Sequence, residues 1–141
     1  MIKHHTIKDI KKIIFPKISD HRGNISFLES NNHVPFDIKR VFFIYDIPSG
    51  QERGGHAHIE LHQILIALSG SFDYKITDGK DEKIFHLSKP YEGIYIPPTL
   101  WGNLSNFSSG SVSMALASDF FKEKDYIREM KDFIEFKKNE N

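Results

Sequence analysis

The sequence predicts an all-β fold, a sandwich or small barrel, with one amphipathic helix near the C-terminus. Short runs rich in Ile, Val, Phe and Tyr recur along the 141 residues, and turn residues separate them. Several runs alternate apolar and polar side chains, as residues 72–77 do, which is typical of strands with one buried face. No linker or repeat interrupts the chain, so we expect a single domain over residues 1–141.

The predicted strands follow these apolar runs in chain order. They cover residues 6–14, 24–29, 39–45, 63–69, 72–77, 83–87, 93–96, 102–106 and 111–116. The pair Asp78-Gly79 predicts a hairpin between two neighbouring strands. Further turns are predicted at residues 20–23, 48–50 and 89–90, where Asp, Gly, Pro and Ser are concentrated.

The C-terminal segment is the predicted helix, over residues 125–138. Its apolar residues lie at helical spacing: Tyr126, Ile127, Met130, Phe133, Ile134 and Phe136. Asp125 suits the N-cap, and the lysines at the other end suit the helix dipole. We expect the apolar stripe to cover one face of the β core or a dimer partner.

Composition excludes several classes of function. Lys+Arg and Asp+Glu both number 19, and this balance argues against non-specific binding to nucleic acid or membranes. The absence of Cys excludes disulfides, thiolate catalysis and thiolate metal sites. The N-terminal residues lack the apolar stretch of a signal peptide, and no apolar run could span a bilayer, so we predict a cytoplasmic protein.

The most informative stretch is GQERGGHAHIELHQILIALSG, residues 50–70. His56 and His58 are two residues apart, so on a strand they project to the same face, which in a small barrel is the interior. The spacing of the glycines and histidines resembles the first motif of the cupin superfamily, in which Glu stands where this chain has Gln63. The resemblance implies a small cupin, a double-stranded β-helix or jelly-roll barrel.

The same stretch favours a site without metal or cofactor. A metal site in this fold needs three or four imidazole or carboxylate ligands. Gln63 replaces the expected carboxylate, and no His occurs in GIYIPPTLWGNLSNF, where the second cupin motif would supply one. His62 is only a weak candidate for a replacement metal ligand. Metal-dependent dioxygenase or isomerase chemistry stays an alternative, and it predicts bound Fe, Mn or Zn.

An imidazole pair can move a proton between adjacent carbons. An imidazole titrates near neutrality, so it can remove a proton next to a ketone and return it elsewhere. The enediolate formed in between needs hydrogen-bond donors or positive charge at its oxygen. The sequence holds a second His, Tyr and Arg near the candidate site.

The chain resembles the sugar-nucleotide 3,4-ketoisomerases of the WxcM-like cupin group in four segments: FDIKRVFFIYDIP, RGGHAHIELHQILIALSGS, GIYIPPTLW and MALASDFFKEKDYIREMKDF. The resemblance runs from about residue 22 to residue 133. It implies a cofactor-free shift of the keto group of dTDP-4-keto-6-deoxyglucose from C4 to C3. The product would feed 3-amino-3,6-dideoxyhexoses for bacterial surface polysaccharides. It also implies a homodimer in which N-terminal strands cross between subunits.

The resemblance assigns roles to the histidine pair and to several possible ligand contacts. His58 matches the base that moves the proton between C3 and C4, and His56 would assist as acid or orient the sugar. The other matching positions are candidates for substrate contact. The arginines near the diphosphate would be Arg53, Arg22 and, with less support, Arg40. Gln63 would bind the sugar or be a core amide. Tyr95 and Trp101 would line the pocket or fill the barrel.

Two departures from the family leave part of the mechanism open. The family often has Tyr where this chain has Phe42-Phe43, and often has His after the Trp, where this chain has Gly102. The departures leave open which group protonates C4, and thus whether the product is galacto or gluco at C4. Tyr45 or His86 are candidates for taking over.

Two alternatives stay beside the isomerase. A C3/C5 epimerase of the related barrel type would use a His–Asp pair and a Tyr, and no Asp in the sequence is evidently placed to pair with either histidine. The other is a non-catalytic cupin that binds a nucleotide sugar, and the departures at Phe42-Phe43 and Gly102 keep this alternative open.

Overall fold

The fold consists of two five-stranded antiparallel sheets, a separate hairpin and one helix. The computed structural model describes residues 2–139. The strands are β1 Lys11–Ile14, β2 Lys17–Asp20, β3 Gly23–Ser26, β4 Arg40–Ile44, β5 Arg53–His58, β6 Gln63–Ser69, β7 Phe72–Thr77, β8 Glu82–Leu87, β9 Glu92–Ile96, β10 Trp101–Ser105, β11 Val112–Ala117 and β12 Tyr126–Ile127; the helix is α1 Met130–Lys138. Sheet A has the order β1-β9-β6-β11-β4, and sheet B has the order β12-β5-β10-β7-β8. The predicted all-β class with a C-terminal helix is confirmed.

The two sheets enclose an apolar core to which alternate residues of both contribute. The buried members of this core are Leu65, Ala67, Phe72, Tyr74, Ile76, Leu87, Ile94, Ile96, Leu100, Leu104 and Ala115. The intervening residues of β6, Ile64 and Ile66, lie on the outer face of sheet A, where Phe15 and Val34 of the N-terminal segment cover them. Sheet A is therefore buried on both faces over much of its area.

The strand predictions are accurate where hydrophobicity is strong and fail where it is weak. β6 and β7 have the predicted bounds. The prediction of one strand over residues 6–14 is wrong in its first half, because Ile7–Asp9 forms a 3-10 turn capped by Thr6. β2, β5 and β12 were not among the predicted strands; β5 contains two glycines and two histidines, which hide it from an apolar pattern.

The C-terminal helix begins at Met130 and not at residue 125. The prediction of an N-cap at Asp125 is wrong, because the next two residues form β12, which pairs with the end of β5. Phe133 is fully buried, and its ring lies 5.8 Å from that of Trp101 on the outer face of sheet B. The helix thus covers one face of the β core, as expected.

A buried residue, Thr99, joins both ends of the described chain to the end of β5. Its N–H donates to the carbonyl oxygen of His58 at 2.6 Å. Its hydroxyl accepts from the N–H of His5 at 2.7 Å, and its carbonyl accepts from Nζ of Lys137 at 3.1 Å. Thr99 has φ of 72°, an uncommon value for a β-branched residue, and it is completely buried.

The β2–β3 hairpin pairs only with itself among the described strands and is exposed along its length. Ile18 and Ile25 lie opposite each other on it and are 58% and 65% exposed. Val41 and Phe43 are likewise exposed on β4, at the edge of sheet A. No helix within residues 2–139 is long and apolar enough to cross a membrane.

Candidate active site

The two histidines of β5 face the barrel interior together. His56 lies opposite Gly102, which lies opposite the core residue Ile76, so the side chains at these positions share the inner face. The imidazole centroids of His56 and His58 are 4.9 Å apart at an interplanar angle of 89°. The ring of Tyr126, on β12, lies 4.4 Å from His58 and 5.0 Å from His56. β5 and β12 thus form a compact His–His–Tyr cluster.

A carboxylate holds His58. Its Nδ1 lies 3.0 Å from Oδ2 of Asp125, whose Oδ1 accepts from the N–H of Glu60 at 2.8 Å. Burial acts to raise the pKa of Asp125, but hydrogen bonds from His58 and Glu60 outweigh it and hold this pKa below its ordinary value. An ionised carboxylate can only accept, so Nδ1 of His58 carries the hydrogen of this bond and Nε2 is the ring nitrogen that Asp125 does not engage.

The expectation that no Asp pairs with either histidine is therefore wrong. Asp125 and His58 are 67 residues apart in sequence, and the pattern of the C-terminal segment placed Asp125 on a helix. Tyr126 was likewise assigned to the helix stripe. The signal that could have found both is the short segment KDYI, whose last two residues pair with the HAH motif as β12.

His56 differs from His58 in its electrostatic surroundings. Burial is the largest cause that lowers the pKa of His56, and the charges of His58 and Arg128 lower it further, to about 4. Arg128 lies 4.2 Å above the ring of Tyr126 and bonds to Glu123. Near pH 7 His56 is therefore a neutral imidazole that can donate or accept a hydrogen bond.

Acid is expected to destabilise the fold through His56. A histidine whose pKa falls from 6.5 to about 4 on folding binds fewer protons folded than unfolded, so the free energy of unfolding decreases as the pH drops through this range. The loss between neutral pH and pH 4 should be about 3 kcal/mol for this residue. Denaturant titrations at both pH values measure it. His5 and His62 also have lowered pKa values, so the contribution of His56 is the difference from His56→Gln, and equal losses in both proteins would contradict this prediction.

Sheet A contributes a second polar group, Arg40. It shares the inner face of β4 with Phe42 and lies opposite Ala117. Its Nε is buried and has no hydrogen-bond partner within residues 2–139. Its guanidinium carbon lies 5.2 Å from the ring centroid of Phe42 and 5.7 Å from that of Phe121, which is 5.6 Å from the ring of Tyr126. This sequence of contacts connects Arg40 to the imidazole cluster.

Gln63 lies on the same inner face as Arg40, with β11 between them. Both residues pair with Ala117, from opposite sides, and Gln63 continues the inward series of Leu65 and Ala67. The predicted inward position of Gln63 agrees with this register. The end of the barrel that carries the imidazoles is therefore polar, whereas the opposite end is filled by the apolar core.

The other two arginines predicted to contact the ligand, Arg53 and Arg22, lie away from the imidazole cluster. Arg53 is exposed at the start of β5, opposite Leu104, and lines a cavity of about 140 Å³ with residues of the 45–51 loop. Arg22 lies at the tip of the β2–β3 hairpin and forms an ion pair with Asp20 at 2.7 Å. The structure shows no contact between either arginine and the histidine pair within this chain.

Tyr95 and Trp101 lie outside the barrel, contrary to expectation. Tyr95 is on the outer face of sheet A, where its hydroxyl lies 2.7 Å from Nδ1 of His62. Trp101 alternates with the inward Gly102 and packs on Phe133 of the helix. Both aromatic residues therefore pack on the outer faces of the two sheets.

The two residues suggested as replacements for the family's missing groups are also outside. Tyr45 is 59% exposed at the end of β4. His86 is exposed on the outer face of β8, where its Nδ1 lies 2.7 Å from Oδ1 of Asp73. Neither is near the imidazole cluster in this chain.

Gly102 is explained by Tyr74, which was not among the predicted site residues. A Cβ atom at position 102 would overlap the hydroxyl and ring of Tyr74, a core residue of β7. The phenol therefore occupies the space that a side chain at position 102 would need. No sequence pattern indicates that the Tyr74 ring fills this space, because Tyr74 alternates with polar residues like any buried strand residue.

The described residues 2–139 contain no group of three or more His, Cys, Asp or Glu side chains arranged to hold a metal ion. Catalysis without metal stays a prediction, which elemental analysis of the purified protein and a chelator test address.

Two antiparallel sheets that enclose an inward imidazole pair, one member held by a carboxylate, define a cupin barrel with a candidate active site. The chain belongs to the FdtA family (WxcM-like, C-terminal), whose family model matches residues 8–138. It is 41% identical over 126 residues to a TDP-4-oxo-6-deoxy-alpha-D-glucose-3,4-oxoisomerase of Aneurinibacillus thermoaerophilus, an alignment that covers 89% of this chain and 91% of that protein.

Solved structures of 3,4-ketoisomerases have the same fold. QdtA of Thermoanaerobacterium thermosaccharolyticum, solved as a His→Asn mutant in complex with TDP-4-keto-6-deoxyglucose, matches with a TM-score of 0.91 and 36% identity, over 94% of this chain and 96% of that one. The TDP-quinovose 3,4-ketoisomerase WlaRB of Campylobacter jejuni matches with a TM-score of 0.87 and 42% identity, over 92% and 99%. The predicted resemblance and class of enzyme are confirmed.

Proposed function

We propose that this chain moves the keto group of TDP-4-keto-6-deoxyglucose from C4 to C3 by proton transfer through an enediol, without a cofactor. The observation that carries the proposal is the inward imidazole pair with His58 held by Asp125, in a chain 41% identical to an oxoisomerase of this class. The product feeds 3-amino-3,6-dideoxyhexose synthesis. A cytoplasmic location is part of the proposal, as the sequence predicts.

His58 is the base in this scheme. Its Nε2 removes the proton from C3, the electrons of the broken C–H bond form the C3–C4 double bond, and the C4 oxygen takes up the charge. The hydroxyl proton at C3 passes to the C4 oxygen, which moves the charge to the C3 oxygen. The C3 carbonyl then forms as C4 takes up a proton in place of the one that His58 removed, so atoms and electrons balance. Asp125 holds the ring with Nδ1 protonated and stabilises the imidazolium that forms.

His56 and Gln63 bind and orient the sugar, and Arg40 contacts the diphosphate. The pKa of about 4 keeps His56 uncharged at neutral pH. Its neutral imidazole has one N–H, which can donate to a sugar hydroxyl. Gln63 offers an amide from the facing sheet. Arg40 has a buried Nε without a partner within residues 2–139, and a negatively charged ligand group would satisfy it.

Arg53 and Arg22 are proposed to contact the diphosphate, because a guanidinium matches phosphate geometry. Arg53 is exposed on the strand that carries the imidazoles. Arg22 projects on a hairpin that pairs with no other described strand, so it can reach a second subunit. Weaker TDP binding by Arg53→Gln and Arg22→Gln, with kcat at saturation little changed, would support these roles.

We propose a homodimer in which the β2–β3 hairpin docks on the partner. The supporting observation is the exposed apolar surface of Ile18 and Ile25 on the hairpin and of Val41 and Phe43 on the edge strand β4. Unpaired edges and exposed apolar strands favour association between chains. The molar mass in solution, measured by light scattering over a dilution series, tests the dimer.

The decisive experiment incubates chelator-treated protein with TDP-4-keto-6-deoxyglucose and a 3-aminotransferase that traps the product. Formation of the 3-amino sugar is expected. Parallel NMR in deuterated water locates the carbonyl carbon and the incorporated label, and the configuration at C4 identifies a galacto or gluco product. Activity that vanishes on chelation and returns with added metal would overturn the metal-free mechanism.

The C3/C5 epimerase is a second candidate because the His58–Asp125 pair is the dyad that such an enzyme would use. The pair alone does not separate the two reactions. The NMR experiment does, since deuterium at C5 with the ketone still at C4 indicates epimerisation. A protein that binds the nucleotide sugar without turnover would be the non-catalytic cupin.

A further inference from the structure

Tyr74 carries a hydroxyl that the described chain leaves without a partner. The residue lies on β7, belongs to the apolar core between the sheets and is 7% exposed. The hydroxyl makes no hydrogen bond within residues 2–139, although buried tyrosine hydroxyls usually find a partner. Burial is the one cause of the raised pKa of this phenol, which therefore stays protonated at neutral pH and can donate.

The hydroxyl lies beside the imidazole pair. It occupies the position that a Cβ on Gly102 would take, and Gly102 is the cross-strand partner of His56 on the same inner face. Side chains opposite each other on an antiparallel pair have Cβ atoms about 5 Å apart. The phenol of Tyr74 is therefore an immediate neighbour of His56 on the barrel wall.

We propose that Tyr74 contacts the substrate, donating a hydrogen bond to the carbonyl oxygen of the bound ketosugar as the enediolate forms. The inference rests on the proposed ketoisomerase function and assigns it a further residue. The phenol keeps its proton throughout: charge accumulates on the sugar oxygen when His58 removes the C3 proton, and the O–H dipole of Tyr74 stabilises that charge. Glycine at position 102 is what allows the ring to approach.

The surroundings make this interaction strong. The ring is packed among core residues, so the hydroxyl has little freedom and needs no reorganisation when charge develops. The side chain is only 7% exposed, and an electrostatic contact is stronger where little water surrounds it. One well-placed donor to a developing oxyanion accounts for about a hundredfold in rate.

The test is Tyr74→Phe, which removes one oxygen and leaves the ring in place. We expect kcat to fall by about a hundredfold, while affinity for TDP and the melting temperature stay within error of wild type. The matched control is Tyr91→Phe, a partly buried tyrosine flanked by Lys17 and Lys89 outside the barrel, which should leave kcat unchanged.

Three results would overturn the proposal, and they are distinguishable. Wild-type kcat in Tyr74→Phe shows that the phenol only fills the core. A parallel loss of melting temperature and TDP affinity shows a packing role. Failure of the wild-type protein to isomerise TDP-4-keto-6-deoxyglucose refutes the proposed function, and this inference falls with it.

Discussion

Replacing His58 with asparagine is expected to lower kcat by about three orders of magnitude while TDP binding stays near the wild-type level. In the proposed mechanism this imidazole takes the C3 proton, and general acid–base catalysis supplies roughly 10²- to 10⁴-fold. Asparagine is similar in size and can still bond to Asp125, so the fold should persist. NMR time courses measure turnover, and calorimetry with TDP measures binding.

The chain offers a matched control for this variant. His86 also bonds through Nδ1 to an Asp, at 2.7 Å, but it lies on the outer face of sheet B. His86→Asn should leave kcat within twofold of wild type. In deuterated water, exchange at C3 should stop in His58→Asn and continue in His86→Asn. A near-native rate in His58→Asn would mean that another group is the base.

Replacing Asp125 with asparagine is expected to lower kcat by about 10²- to 10⁴-fold with little change in KM. The amide can still accept from Nδ1 of His58, so the ring keeps its position, but the negative charge that stabilises the imidazolium is lost. Asp125→Ala should also lower the melting temperature, because the N–H of Glu60 loses its acceptor. Steady-state kinetics and thermal melts measure the two effects.

Asp73→Asn is the control for the charge effect, since Asp73 bonds to His86 in a similar geometry away from the site. It should change neither kcat nor KM. An Asp125→Asn enzyme with wild-type kcat would show that the carboxylate is only structural. A variant in which KM rises while kcat stays constant would place Asp125 in substrate binding.

The sequence predicted the features that local pattern determines. The alternation of Phe72, Tyr74 and Ile76 placed β7 at its correct bounds, and the spacing of His56 and His58 placed both rings on one face. These predictions succeed because side-chain direction along a strand has a period of two residues. The family resemblance added the reaction, which no local pattern contains.

The predictions that failed concern contacts between segments that are distant in sequence. The Asp125–His58 bond joins residues 67 positions apart, and a two-residue strand is too short to show a period. Aromatic character alone could not tell that Trp101 faces the helix. Trp101 is next to the inward Gly102 and must therefore face outward, but the inward position of Gly102 is known only from its register with β5.

Thr99 bears on how much the site must move during a reaction. Its left-handed backbone has a conformational cost of order 1–3 kcal/mol, which the bonds to His58, His5 and Lys137 offset in the folded chain. This conformational cost thus arises when the polypeptide folds and does not recur when a ligand binds. The C-terminal end of β5 is anchored in the free protein, and we expect its main chain to be the same in the free and ligand-bound states.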